Sequence, residues 1–341
     1  MAVYIVQALI NMFIIFLIYR LALKIFDKKV ALIALCWAGL YIFYVRFAAC
    51  ILRETMIYLF FIGFFNLFYS WLTNNRDNKK NTFFASLVFF LLVHADMRYL
   101  YLFPCIFVLF VFYHRIRRGL KNFFIFVLIV ITLSIPWGIR NYRTYGSFVL
   151  ISTFYFPPGA TLMESKFRYL INLHPSIKSQ DASYPTDEER QIIKQGLNPK
   201  NRSQSEIDAI KKDVFPVSTF WGRRLFWLKE LWQPMRLVGT YHPFPSCKFF
   251  PSYSFTYNLT SMICYGFILP FAFIGTIILL SKRKKYVLFL LLPIFCHTLA
   301  HVAVASVIRY RIPIDSFLII LGAYGIRASS EFLITIKKRR A

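Results

Sequence analysis

The sequence predicts an all-α polytopic membrane protein, and three observations carry that prediction. Of the 341 residues, 58% are hydrophobic, with a mean hydropathy of +0.54. The apolar residues fall in blocks long enough to cross a hydrocarbon core of about 30 Å. Basic residues collect in short clusters between those blocks.

Nine blocks are legible in order: 2–23, 30–46, 55–72, 83–96, 99–113, 122–137, 257–280, 286–305 and 314–328. The first enters apolar sequence at its second residue without a basic leader, so it is not an ordinary secretory signal. Basic clusters follow at Arg20/Lys24/Lys28/Lys29, Arg76/Lys79/Lys80, Arg115/Arg117/Arg118/Lys121, Lys282–Lys285 and Lys337–Arg340. They hold 19 of the 41 Lys and Arg and, by the positive-inside rule, mark the cytoplasmic side. Most of the +26 net charge thus reports topology and anionic lipid, which excludes a nucleic-acid binder.

The same rule divides residues 83–113. Basic loops at 76–80 and 115–121 share a side, so the stretch between them is a hairpin, with His94-Ala95-Asp96-Met97-Arg98 at its outer bend. Pro136-Trp137 closes the sixth span, and Arg140-Asn141-Tyr142-Arg143 follows before a turn at Gly146. Nine crossings and a cytoplasmic C-terminus put Met1 outside; the first span is then either a reverse anchor or preceded by further sequence.

Three regions result: transmembrane helices 1–6 over 1–137, an external segment over 138–256, and helices 7–9 with a basic tail over 257–341. The external segment, about 120 residues long, carries 16 basic and 9 acidic residues. Capping boxes at Thr186-x-x-Glu189 and Ser203-x-x-Glu206 open two helices in it. A third helix over 218–233 aligns Trp221, Leu225, Leu228 and Trp232 in one apolar stripe, the pattern of a helix lying in the membrane interface. The six cysteines show no metal-binding or paired spacing.

Ionisable side chains in a span cost about 2.5–3.5 kcal/mol each on insertion scales, so their placement carries information. Glu54, Asp96 and Asp315 fall at external membrane edges, together with Arg46, Arg53, Arg98, Arg309 and Arg311. Arg140 and Arg143 join them. Arginines can hold a lipid-linked phosphate bidentately and stabilise the charge on a leaving group. A carboxylate can take an acceptor's proton in single-displacement glycosyl chemistry. The candidate catalytic acids are Glu54 and Asp96, and the candidate donor-phosphate ligands are Arg53, Arg98, Arg140, Asn141, Arg309 and Arg311. The competing reading is structural: ion pairs Arg98 with Asp96 and Arg311 with Asp315. His297 and His301, spaced i and i+4 without an acid nearby, read as helix-packing residues rather than metal ligands, and no metal is assigned.

Four segments together resemble a known group: LRETMIYLF (52–60), the hairpin arginine Arg98, IPWGIRNYRTYGSFVLIST (135–153) and RYRIPIDSFLIILGAYGI (309–326). They look like the bacterial dolichyl-phosphate-mannose-protein mannosyltransferase-like glycosyltransferases of the GT-C superfamily, to which the lipid A aminoarabinose transferase is related. The resemblance implies a polyprenyl-phosphate-linked sugar donor and inverting transfer to a lipid, polysaccharide or protein acceptor. It also implies a bacterial inner membrane location with the active face periplasmic. Glu54 matches the acid that opens the corresponding span, and Arg140-Asn141 the signature turn. One departure stands out: the family's first span and the acidic loop after it have no counterpart, so Glu54 or Asp96 would have to serve. The alternatives are a lipid-linked sugar flippase or an inactive homologue.

Overall fold

The computed structural model describes residues 2–48, 54–73, 79–145, 148, 150–151, 220–232, 255–304 and 308–340, and every regular element in that range is helical. The first half comprises α1 (Ala2–Ile25), α2 (Lys28–Leu40), α3 (Ile42–Ala48), α4 (Glu54–Thr73), α5 (Lys79–Ala95), a 3-10 turn (Met97–Tyr101), α6 (Leu102–His114) and α7 (Ile116–Tyr145). The second comprises α8 (Phe220–Trp232), α9 (Phe255–Ser281), α10 (Tyr286–Val304) and α11 (Ile308–Arg340). Seven helical stretches, in α1, α4, the 3-10 turn with α6, α7, α9, α10 and α11, are long and apolar enough to cross a membrane. The described residues have the all-α architecture of a multi-pass membrane protein.

Two of the nine expected spans fall short of that length. Block 30–46 is not continuous: α2 has 13 residues, α3 has 7, and Tyr41 between them is extended (φ −75°, ψ 104°). A straight crossing takes about 20 residues. The break has a cause, because Tyr41 leaves the helix to meet a buried carboxylate on α11. Block 83–96 lies in α5, apolar but only 17 residues long.

The hairpin bend falls where the charge pattern predicts. Asp96 is extended and its side chain accepts the Arg98 N–H at 3.1 Å, capping the 3-10 turn that separates α5 from α6. Pro136, by contrast, does not end α7. The helix runs through it to Tyr145, so Arg140 to Arg143 are helical rather than part of a turn. Proline inside a membrane helix is tolerated where neighbouring groups satisfy the freed backbone. The capping-box helices, Arg53, and most of the expected external segment lie outside the described residues.

α4 is the hub. Phe61, Phe64, Phe65 and Phe68 are each fully buried along it. Their rings meet Phe89 of α5 (5.1 Å), Phe110 of α6 (5.1 Å), Phe289 of α10 (5.7 Å) and Phe317 of α11 (4.9 Å). Edge-on aromatic pairs of this kind add about 0.5–1.5 kcal/mol beyond area burial. Polar bonds fix α1 to α4: Asn66 Nδ2 donates to the Leu17 carbonyl at 2.9 Å, and Lys24 Nζ donates to Ser70 Oγ at 2.7 Å. Such bonds act as glue where lipid offers no hydrophobic drive between helices.

Lys24, the Asp27–Arg327 ion pair, and Phe26 packed on Tyr286 and Tyr324 gather at one end of the bundle. Asp96, Arg98, Tyr41, Arg311 and Asp315 gather at the other.

Toward the first end, beside Tyr324 and Arg327, α9 and α11 approach closely. A Cβ on Gly275 would stand 2.2 Å from the Leu321 carbonyl oxygen, and one on Gly325 would stand 2.1 Å from that of Phe271. Only hydrogen fits between the two backbones, the small-residue packing common to membrane helices.

Candidate functional site

The helix ends opposite the Asp27–Arg327 pair carry a connected polar network, built in three parts. The first is buried completely. Arg311 and Asp315, one turn apart on α11, are 0% exposed, and Arg311 Nε donates to Asp315 Oδ1 at 3.0 Å. Tyr41 donates its hydroxyl to Asp315 Oδ2 at 2.5 Å from the break between α2 and α3. Arg311 Nη1 donates to the Leu231 carbonyl of α8 at 3.0 Å, and its guanidinium lies 3.5 Å above the centre of the Tyr265 ring of α9. Five elements therefore converge on one ion pair: α8, α9, α11 and the α2–α3 junction, with Phe43 of α3 beside it at 5.8 Å.

The second part is the hairpin bend. Arg98 grips the Asp96 carboxylate with Nε, at 2.9 and 3.0 Å to the two oxygens, and with Nη2. Asp96 is nearly buried, whereas the Arg98 side chain is 32% exposed, so the guanidinium retains a face that a ligand can reach. That guanidinium also stacks on Tyr310, 3.8 Å from its ring centre. Tyr310 stands one residue before Arg311, which joins the bend to the buried pair.

The third part orients Tyr310. His297 on α10 faces the Tyr310 carbonyl with Nε2 at 2.7 Å and the Tyr101 hydroxyl with Nδ1. A carbonyl only accepts, so Nε2 carries the proton and Nδ1 accepts from Tyr101. His301 lies a turn further along, 4.4 Å from the His297 ring and stacked on Tyr310 at 5.1 Å. Both histidines are thus consumed in helix packing. Among the described residues, no group of three or more His, Cys, Asp or Glu is placed to hold a metal ion.

Glu54, half-buried at the start of α4, lies within electrostatic reach of the Tyr58 and Tyr99 hydroxyls. Tyr99 is buried and within the same reach of Asp96, Arg98 and Tyr310. The structure therefore brings four of the candidate residues into one neighbourhood: Glu54, Asp96, Arg98 and Arg311. Arg140 is exposed at the end of α7, donates to Asn141 Oδ1 at 3.1 Å and sits over the Trp137 ring at 5.1 Å. Trp137 in turn meets His94, two residues before Asp96, at 5.9 Å. Asn141 is buried. Arg309 belongs to the first turn of α11, but its side chain lies outside the described residues, as does Arg53.

Sequence reasoning missed the tyrosines. Tyr41, Tyr99, Tyr101, Tyr265 and Tyr310 make up much of the network, and a pattern of tyrosines near span ends is indistinguishable in sequence from an aromatic belt. Tyr41→Phe tests the most consequential of them. Removing the hydroxyl takes a donor from a fully buried carboxylate, a loss of about 1–3 kcal/mol. Thermal unfolding in detergent measures it, and a loss below about 0.5 kcal/mol would show that the carboxylate finds another donor.

Architecture and site define the chain as a polytopic helical membrane protein with an acid–arginine–tyrosine network at one end of its bundle. It matches no family model, no curated protein and no solved structure. The likeness to GT-C glycosyltransferases accordingly rests on the short segments quoted above.

Proposed function

We propose that this protein is a membrane glycosyltransferase of GT-C type that uses a polyprenyl-phosphate-linked sugar and works on the extracytoplasmic face. The observation that carries the reading is the hairpin bend: Arg98, ion-paired yet one-third exposed, lies in the same neighbourhood as the Glu54 carboxyl. Glu54 takes the proton of the acceptor hydroxyl. The acceptor oxygen attacks the anomeric carbon from the face opposite the phosphate, and the bond from that carbon to the phosphate oxygen breaks. Polyprenyl phosphate leaves with the electron pair, its charge met by Arg98.

Asp96 is committed to Arg98 and to the cap of the 3-10 turn, so it positions the arginine and leaves the base role to Glu54. Arg311 is wholly enclosed, which suits a positioning residue better than a phosphate ligand. Arg140, exposed on α7, is the second candidate to meet a phosphate or head group. On this reading the expected cytoplasmic C-terminus and the bacterial inner membrane location are retained, and the donor reaches the site from the lipid.

The test is Glu54→Gln in proteoliposomes supplied with radiolabelled polyprenyl-phosphate hexose and a lipid-extract acceptor. Loss of a positioned general base lowers turnover by about 10²–10⁴-fold. Polyprenyl phosphate release should fall accordingly while thermal stability stays unchanged. Undiminished release would remove Glu54 from the mechanism, and intact donor crossing the bilayer without cleavage would make the protein a transporter instead.

A further inference from the structure

α8 is fastened to the bundle by two arginines that point in opposite directions. Arg224 reaches out of α8 and donates to the carbonyls of Val302, at 3.0 Å, and Ala303 in the last turn of α10. Arg311 reaches out of α11 and donates to the Leu231 carbonyl in the last turn of α8. Each arginine supplies N–H groups to carbonyls that a helix C-terminus leaves without intrahelical donors, and each meets the negative end of a helix dipole. The inner face of α8 is set by these contacts and by the fully buried Leu231 side chain.

A neighbouring face is apolar and exposed. Trp221 is 75% exposed, Leu225 65% and Leu228 38%, at steps of four and three that align them in one stripe. Trp232, at the end of that expected stripe, is half-buried. The stripe has a neighbour of the same character on α10, a membrane-spanning helix. There Phe295 (63%) and Leu299 (59%) are exposed on the face that leads, one turn later, to the carbonyls held by Arg224. The lipid-facing surface of α10 thus runs into α8. Exposed Lys229 adds a cation to the rim.

We propose that α8 is a membrane-docking helix whose stripe occupies the phospholipid leaflet at the same end of the bundle as the Asp96–Arg98 bend. Three apolar side chains offer far less than the roughly 1,200 Å² a stable protein partner buries, but they suffice for an interfacial helix whose cations meet phosphate head groups. The inference rests on the membrane architecture alone and is independent of the glycosyltransferase reading. It has a consequence for the site: the Arg311–Leu231 link couples the seating of α8 in lipid to the buried ion pair.

The experiment uses the full chain in nanodiscs of phosphatidylethanolamine and phosphatidylglycerol. Leu225→p-benzoylphenylalanine is irradiated beside Leu299→p-benzoylphenylalanine, the lipid-facing control on α10. Phospholipid adducts, read by intact mass, are expected at 225 in a yield within threefold of that at 299. A cross-link to a second copy of the chain, or no lipid adduct at 225 while 299 gives one, overturns the proposal. As a second measurement, lipids brominated near the head-group end of the acyl chain should quench the wild-type tryptophan emission more than that of Trp221→Phe. Equal quenching of the two likewise overturns it.

Discussion

Gly325→Leu should leave the chain unable to form a stable bundle, and Gly325→Ala should already destabilise it measurably. A Cβ at this position stands 2.1 Å from the Phe271 carbonyl oxygen, a distance that real Cβ atoms do not adopt, and the obstacle is backbone rather than a side chain that can swing away. α9 and α11 must therefore separate. Overpacking of this kind costs about 1–3 kcal/mol for small additions and more for a whole leucine side chain. The damage would not stay local. Gly275 and Gly325 set the spacing of the two helices, and Tyr265 of α9 lies 3.5 Å over Arg311 of α11 on the same pair. Thermal unfolding in detergent checks the stability loss. If Gly325→Ala unfolds at the wild-type temperature, the close approach is not a structural requirement.

Arg311→Met carries the second large effect. It removes the only positive charge whose ion pair with Asp315 is described, and leaves a carboxylate buried at 0% exposure with Tyr41 as its described hydrogen-bond donor. Breaking one side of a buried pair typically costs about 3–5 kcal/mol, because the remaining charge keeps its desolvation penalty. The same substitution withdraws the donor from the Leu231 carbonyl, so α8 should loosen as well. Arg311→Met combined with Asp315→Leu is expected to recover much of the loss, since a buried pair replaced on both sides by apolar groups is often nearly neutral. A double-mutant cycle on the four proteins gives the coupling. Strictly additive losses would show that the two residues do not act as a pair.

Much of the membrane architecture was legible in the sequence because hydropathy is a local property. A run of apolar residues long enough for the hydrocarbon core becomes a helix there, since no other single-segment structure satisfies its backbone in lipid. Hence seven of the nine expected blocks became helices of spanning length, and the charge pattern located the break at Asp96. Block 30–46 is interrupted for the complementary reason. Nothing in its own composition signals that Tyr41 must leave the helix, because the partner that draws it out is 274 residues away. Pro136 illustrates the reverse error: read locally it stops a helix, but α7 continues through it.

The site divides along the same line. The residue types were visible as ionisable groups at span edges, and the pairings Asp96–Arg98 and Arg311–Asp315 lay within two and four residues. Their inequality was not visible. Arg98 keeps an accessible face and Arg311 keeps none, a difference made by α8, α9 and the α2–α3 junction closing over Arg311. By itself the sequence determined that this is a helical, multi-pass membrane chain with its unusual charges gathered toward one end, because hydrophobic length and charge placement act segment by segment. Only the tertiary structure decided which of those charges is a buried strut and which can meet a ligand, because burial is set by neighbours that the chain brings together from far apart.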